Sequence, residues 1–321
     1  MERGRSSGVE HDLAKVGVEG SNPFARSKLS QEKCVEADCM KALTVVRSVA
    51  DLRRAVAEHR SAGRTIGLVP TMGALHDGHI SLVKGALDRG DVPVASIFVN
   101  PTQFGPNEDF GAYPRDEAGD FAKLEAAGCR IAYAPVVEEM YPGPQLTTVT
   151  VAGLTDHLCG PLRPGHFQGV ATVVCKLLMM AMPDRGYFGE KDYQQLQVLK
   201  RMARDLNMPI EIVGMPTVRE PDGLAMSSRN RYLAPSERKV ALALHRELQA
   251  VADAVRDGHA SCSEATKRSA QALLEAGFDK VDYLTVVDTE SLAPVDQVRG
   301  PARVAAAARL GRTRLIDNIA V

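Results

Sequence analysis

The sequence predicts an α/β protein: a Rossmann-like, doubly wound parallel sheet followed by a smaller C-terminal α+β domain. Two observations predict it. Short apolar, β-branched runs alternate with stretches of helical period from residue 42 to about residue 213. Beyond about Thr217 that alternation gives way to two long helical stretches surrounding shorter strand-like pieces.

In order, residues 42–46 read as a first strand, and Ser48 with Asp51 forms an S-x-x-D capping box before a helix to about His59. Residues 65–69 form a buried strand, and the spacing of Ile80, Leu82, Val83, Ala86 and Leu87 predicts a helix over 79–89. An apolar run at 92–99 is the next strand. Helix 116–127 leads to strand 130–134, helix 168–182 to Tyr187-Phe188, and helix 192–206 to a strand at 210–213. In the C-terminal part, helices at about 235–257 and 263–276 accompany strands at 281–287 and 314–319. The expected organisation is a nucleotide-binding domain over 40–217 and a closing domain over 218–321.

Bulk properties narrow the function classes. At 321 residues, 45% apolar and 25% charged, the chain is an ordinary globular protein long enough for two domains. A formal net charge of −1 gives no bulk electrostatic case for nucleic acid or an anionic membrane. Cys34, Cys39, Cys129, Cys159, Cys175 and Cys262 form no C-x-x-C pair, and no Cys/His cluster has zinc-ligand spacing. Reduced thiols and a cytoplasmic location are expected. The richest apolar run, 173–182, is interrupted by Lys176 and is too short to span a membrane.

Residues 1–39 are polar and aperiodic, and little order is expected there. Gly20-Ser21-Asn22-Pro23 can be encoded by GGTTCGAATCCC, typical of the T arm of a tRNA gene. The expectation is a segment translated from an adjacent tRNA gene, with Met40 the true start. The plainer alternative is a genuine disordered leader. Deleting residues 1–39 should leave activity intact.

Four segments carry the candidate chemistry. The first, Pro70-Thr71-Met72-Gly73-Ala74-Leu75-His76-Asp77-Gly78-His79, joins a strand to a helix. Free backbone N–H groups and the positive end of a helix dipole make such a junction a seat for phosphate. Gly73 and Gly78 let a ligand approach the backbone, and two imidazoles one turn apart can hydrogen-bond phosphate oxygens. Against this stands a chance pair of surface histidines or half a metal site. The second, Asn100-Pro101-Thr102-Gln103-Phe104-Gly105, follows an apolar strand and offers amides to a small polar substrate; alone it reads as an Asn-Pro turn.

The third, Gly189-Glu190-Lys191-Asp192-Tyr193-Gln194-Gln195, brings a lysine that can contact a phosphate; alone it reads equally as a solvated helix start. The fourth, Met226-Ser227-Ser228-Arg229-Asn230-Arg231, suits a clamp on a triphosphate but alone is a polar surface loop. Met179, Met180, Met182 and Cys175 are expected to fill core space. His245 and His259 show no partners, and His166 is left open between structure and chemistry.

His76-Asp77-Gly78-His79 resembles the H-x-G-H signature of adenylate-forming nucleotidyltransferases. Taken with residues 97–104, Ala112-Tyr113-Pro114-Arg115, 165–170, 188–195 and 224–232, the chain from Met40 resembles the pantoate–β-alanine ligase family. Thr102 is a small departure within an otherwise matching Asn-Pro-x-Gln-Phe block.

The resemblance implies a ligase that adenylates (R)-pantoate with ATP and transfers the pantoyl group to β-alanine, usually as a homodimer. It implies ATP contacts from Met72, Gly73, Ala74, Leu75, His76, Asp77, Gly78 and His79, from Gly189, Glu190, Lys191 and Asp192, and from Val218, Met226, Ser227, Ser228 and Arg229. His76 falls where a proton donor is assigned, with both histidines expected to stabilise phosphate charge. Gln103 and Gln195 would hold pantoate, with Gln103 also near β-alanine. Mg2+ is implied with ATP, and Asp120 falls where an acid contacts it. Rival readings are another adenylate-forming transferase, a tRNA-charging domain, and an ATP-binding sensor without turnover.

Overall fold

The computed structural model describes residues 42–106 and 108–321, so the expectations for residues 1–39 and Met40 lie outside the described residues. β1 (Thr44–Val46), β2 (Ile66–Thr71), β3 (Val92–Ile97), β4 (Ile131–Tyr133), β5 (Arg185–Gly189) and β6 (Glu211–Met215) form one sheet. Its order is β1-β4-β3-β2-β5-β6, and every neighbouring pair is parallel.

The helices of this part are α1 (Val49–Ser61), α2 (Asp77–Asp88), α3 (Glu117–Ala126), α4 (Val137–Met140), α5 (His166–Ala181) and α6 (Tyr193–Asp205). Apolar side chains of α1, α5 and α6 cover one face of the sheet, packing on Ile66, Leu68 and Val94. Leu82, Val83 and Ala86 of α2 and Leu124 of α3 cover the other, on Val69, Ala95 and Tyr187. With both faces covered, β2 is an almost continuous buried run, as parallel strands require. The chain leaves β2 toward β3 and β4 on one side and later returns to β5 on the other. That reversal opens a crevice at the carboxyl end of β2, where ligands bind in such sheets.

The opposite end of the sheet is closed by a buried carboxylate. Asp91 accepts hydrogen bonds from Tyr187 Oη (2.6 Å), Arg185 Nη1 (2.7 Å) and Thr65 Oγ1 (2.6 Å), so its charge is paired. Gly67 has to be glycine here, because a Cβ would sit 2.9 Å from the Tyr187 ring and 3.0 Å from Ala86.

The C-terminal part holds α7 (Pro235–Arg256), α8 (Cys262–Ala276) and an antiparallel sheet β7 (Lys280–Asp288), β8 (Ala302–Leu310), β9 (Thr313–Ala320). Leu244, Leu248 and Val251 of α7 and Leu273 of α8 pack on Val286, Val304 and Ala306. β8 was not among the expected strands, since its alanine run, Ala305 to Ala308, favours helix locally. Pairing with β7 and β9 along its length overrides that preference.

Other differences lie at element ends. α2 starts at Asp77 and α5 at His166, each two residues before the expected start, and Phe98 and Val99 have left the sheet. α4 and a 3-10 turn at Pro101–Gln103 are too short to show a period. Met179 and Met182 are exposed, at 56% and 60%, so only Met180 of the three methionines packs against the core. Among the described residues the four cysteines are free, and no helix is long and apolar enough to cross a membrane.

Candidate active site

The loop between β2 and α2 is built from two left-handed residues, Gly73 (φ 82°) and Ala74 (φ 50°). An alanine in that region is strained and must be held in place. Asp120 of α3, only 1% exposed, supplies the hold. Its Oδ2 accepts from Ala74 N (2.8 Å) and its Oδ1 from Leu75 N (2.7 Å). Asp120 is thus engaged beneath the loop, not among the residues lining the cleft above it.

The same loop turns His76 into the N-cap of α2. His76 Nδ1 accepts from Gly78 N (3.1 Å), and His79 Nδ1 accepts from His76 N (3.3 Å), a capping box made of two imidazoles. Because both Nδ1 atoms are acceptors, the neutral rings carry their protons on Nε2. The rings lie 4.1 Å apart between centroids. Burial pushes their pKa down, to about 4 for His76 and about 3 for His79, with the Lys191 charge adding to both. Near neutral pH both rings are uncharged, each with its N–H on Nε2.

Asn100, buried after β3, organises the second segment. Its Oδ1 accepts from Tyr141 Oη (2.8 Å) and Thr102 Oγ1 (3.0 Å), while Nδ2 donates to Gln103 Oε1 (3.2 Å). Gln103 Nε2 lies 3.0 Å from Met72 Sδ, joining this segment to the first loop. Gly169 of α5 packs so closely that a Cβ would fall 2.3 Å from Thr102 O.

His166 Nδ1 donates to Gln103 O (2.8 Å) and Nε2 accepts from Arg163 Nη1 (2.8 Å). Only the Nδ1–H tautomer satisfies both partners, the opposite of His76 and His79. Burial takes the His166 pKa down to about 4, assisted by Arg163. Arg163 Nε also pairs with Glu108 Oε1 at 2.6 Å. Burial alone would raise Glu108, but Arg163 outweighs it and the carboxyl titrates below its ordinary value.

β5 delivers the third segment. Lys191 lies in a 3-10 turn, Glu190–Asp192, with Nζ 3.6 Å from Asp192 Oδ2. Gln195 on the first turn of α6 faces the cleft, whereas its neighbour Gln194 is buried, holding Cys159 N, Leu154 O and His157 O.

In the fourth segment Met226 N donates to Val218 O (3.0 Å), and Ser227 caps a short 3-10 turn, Ser228–Tyr232. Ser228 Oγ donates to Ala74 O (3.1 Å), tying this segment to the first loop. Arg229 makes a two-pronged pair with Asp109 (3.0 and 2.8 Å).

These segments enclose a cleft of about 240 Å³. Met72, His76, Gly78, His79, Gln103, Gly189, Lys191, Asp192 and Gln195 line it, and so do Val218, Met226, Ser227, Ser228 and Arg229. Gly73, Ala74, Leu75, Asp77 and Glu190 are not in its lining.

The family model described as pantoate-beta-alanine ligase matches residues 44–320. The chain belongs to the pantoate–β-alanine ligase family. It is 57% identical over 280 residues to the pantothenate synthetase of Paramagnetospirillum magneticum, covering 87% of this chain and 98% of that one. A crystal structure of pantothenate synthetase from Thermus thermophilus superposes with a TM-score of 0.82 at 49% identity, covering 86% and 99% of the two chains. The pantoate-beta-alanine ligase of Francisella tularensis, complexed with beta-gamma ATP and beta-alanine, gives a TM-score of 0.73 at 32% identity, covering 87% and 98%. Like its relatives, this family member is an amide-forming ligase that makes pantothenate with ATP.

Sequence reasoning passed over several residues of this ligase's cleft. Arg163 and Thr217 line it, as do Asn100 and Tyr113, which stood in quoted segments without a role of their own, and His166, which had been left open. Arg163 lies on an irregular stretch before α5, where no periodicity marks it. The Gly165-His166-Phe167 block adjoining it was the available signal.

Proposed function

We propose that the cleft runs both half-reactions in one enclosure. The carboxylate of (R)-pantoate attacks the α-phosphorus of ATP, giving pantoyl adenylate and pyrophosphate. The neutral amine of β-alanine then attacks the activated carbonyl, giving pantothenate and AMP. A carboxylate is a poor acyl donor, and adenylation supplies the leaving group. Enclosure keeps water from the mixed anhydride, and proximity supplies much of the second step. The observation that carries this reading is the gathering, in one cleft, of a phosphate end (His76, His79, Lys191, Ser227, Ser228, Arg229) and an amide-lined end (Gln103, Gln195).

In this reading His76 and His79 donate from Nε2 to phosphate oxygens, and Lys191 offsets charge developing as pyrophosphate leaves. Arg229 exchanges Asp109 for phosphate when ATP enters, and the 218–321 part closes over the nucleotide. Gln103 and Gln195 hold pantoate, with Gln103 also beside β-alanine. Magnesium comes with ATP. Among the described residues no three His, Cys, Asp or Glu side chains group to hold a metal, and Asp120 is engaged by the loop. In this reading the ion is carried mainly by phosphate and water. A cytoplasmic homodimer fits the family.

The test is pyrophosphate exchange into ATP. Exchange that needs (R)-pantoate but not β-alanine is expected. Exchange without pantoate, or none in folded, magnesium-replete enzyme, would reject the adenylate route. Lys191→Ala should depress exchange more than it weakens pantoate binding, and Gln195→Ala should raise the KM for pantoate.

A further inference from the structure

β9 passes between two segments assigned above to the nucleotide. Successive strand residues point to opposite faces, and Asp317 and Asn318 are both buried at this passage, each 4% exposed. On one face, Asn318 Nδ2 donates to Glu190 O (3.0 Å) and to Lys191 O (2.9 Å). Its Oδ1 accepts from Arg303 Nε (2.7 Å). A carbonyl only accepts and a guanidinium only donates, so the partners themselves settle which way the amide points. Arg303 is in turn fixed by Glu190 Oε2 (3.3 Å) and by the Tyr193 ring, whose centroid is 4.3 Å from its Cζ.

On the other face, Asp317 accepts two hydrogen bonds from Arg219, at 2.7 and 3.0 Å. Arg219 Nη1 also donates to Gly223 O (3.1 Å). Arg219 directly follows Val218 and is bridged to Ala225, so it anchors the narrow loop that presents Val218 and Met226 to the cleft. Neither Asp317 nor Asn318 lines that cleft. Lys191 and the Val218–Met226 loop are distant in sequence, so no local preference sets the gap between them. The strand does, since β9 is paired with β8 over its whole length.

We infer that Asp317 and Asn318 are positioning residues for the nucleotide step: a two-sided bracket that sets Lys191 against the Val218–Met226 loop. The inference rests on the roles proposed for those two segments. Its test is a double-mutant cycle on ATP affinity in the full-length enzyme, read by calorimetry. Asn318→Ala should weaken ATP about tenfold, with the KM for (R)-pantoate changed by less than about twofold. Asn318→Asp, equal in size but turning an acceptor toward two carbonyls, should weaken it further. In a Lys191→Ala background, Asn318→Ala should cost less than about twofold, because the group it positions is gone.

Equal losses in both backgrounds, or unchanged ATP affinity for Asn318→Ala alone, would overturn the bracket. If Asn318→Ala does not fold, Arg303→Lys carries the same test, losing the Nε contact that orients the amide. An unaltered Lys191→Ala enzyme would strike the proposed phosphate role of Lys191 instead. The bracket would then be decided by Asn318→Ala against the wild type.

Discussion

Replacing Asp120 by alanine separates two accounts of one residue. The carboxylate accepts from Ala74 N and Leu75 N at 2.8 and 2.7 Å, in a place where Ala74 is 0% and Leu75 1% exposed. Removing it leaves two buried N–H groups without acceptors, at about 1–3 kcal/mol each, or about 2–6 kcal/mol together. It also releases a left-handed alanine, a conformation that costs about 1–2 kcal/mol to maintain. For a protein of this size the melting temperature should fall by roughly 5–20 °C. Asp120→Asn keeps one acceptor and should lose about half as much. Differential scanning fluorimetry reads the stability, and exchange activity titrated with Mg2+ reads the chemistry. A melting temperature within about 1 °C of the parent, with activity restored by excess Mg2+, would refute the loop clamp and return Asp120 to the metal.

Three more perturbations bear on the cleft. His76, His79 and His166 are half-buried and neutral near pH 7, with pKa values pushed down to about 4, 3 and 4. The unfolded chain takes up those protons near pH 6.5, so their contribution to stability is complete above about pH 6.5 and is lost as pH falls toward 4. Urea unfolding across that range should show the decline, and His166→Gln should make it shallower. Gly169→Ala drives a Cβ to 2.3 Å from Thr102 O, a backbone atom that cannot turn away. The strain costs about 1–3 kcal/mol, and displacement of Gln103 should raise the KM for pantoate while leaving that for ATP nearly unchanged. Ser228→Ala removes the hydrogen bond to Ala74 O (3.1 Å), worth about 0.5–1.5 kcal/mol. ATP binding should weaken by less than about tenfold, as calorimetry would show.

The parallel sheet was legible because its strands are apolar on both faces and its helices carry clear amphipathic periods. The site was legible as segments, since His76, Gln103, Lys191 and Ser228 each sit in or beside a short connection or a helix start. What could not be read was set by contacts distant in sequence. Nothing local to Asp120 says that it reaches back to Ala74, 46 residues earlier. Nothing in the alanine run says strand until β7 and β9 flank it. The protonation pattern of His76 and His79 follows from capping geometry, which appears only once the helix start is known.

That alanine run has a consequence for register. A slip by one residue turns every side chain to the opposite face, but a slip by two in a stretch such as Ala305–Ala308 exchanges like for like. The middle of β8 is therefore nearly blind to its own alignment, and the ends must specify it. One end is the turn at Gly311, which has a φ of 56°. The other is Arg303, whose reach to Asn318 and Tyr193 would be displaced by about 7 Å in a two-residue slip. A misaligned molecule would keep most of its apolar packing and lose the Arg303 contacts that orient Asn318 and reach Glu190. Arg303 thus couples correct strand alignment to the placement of the turn that carries Lys191.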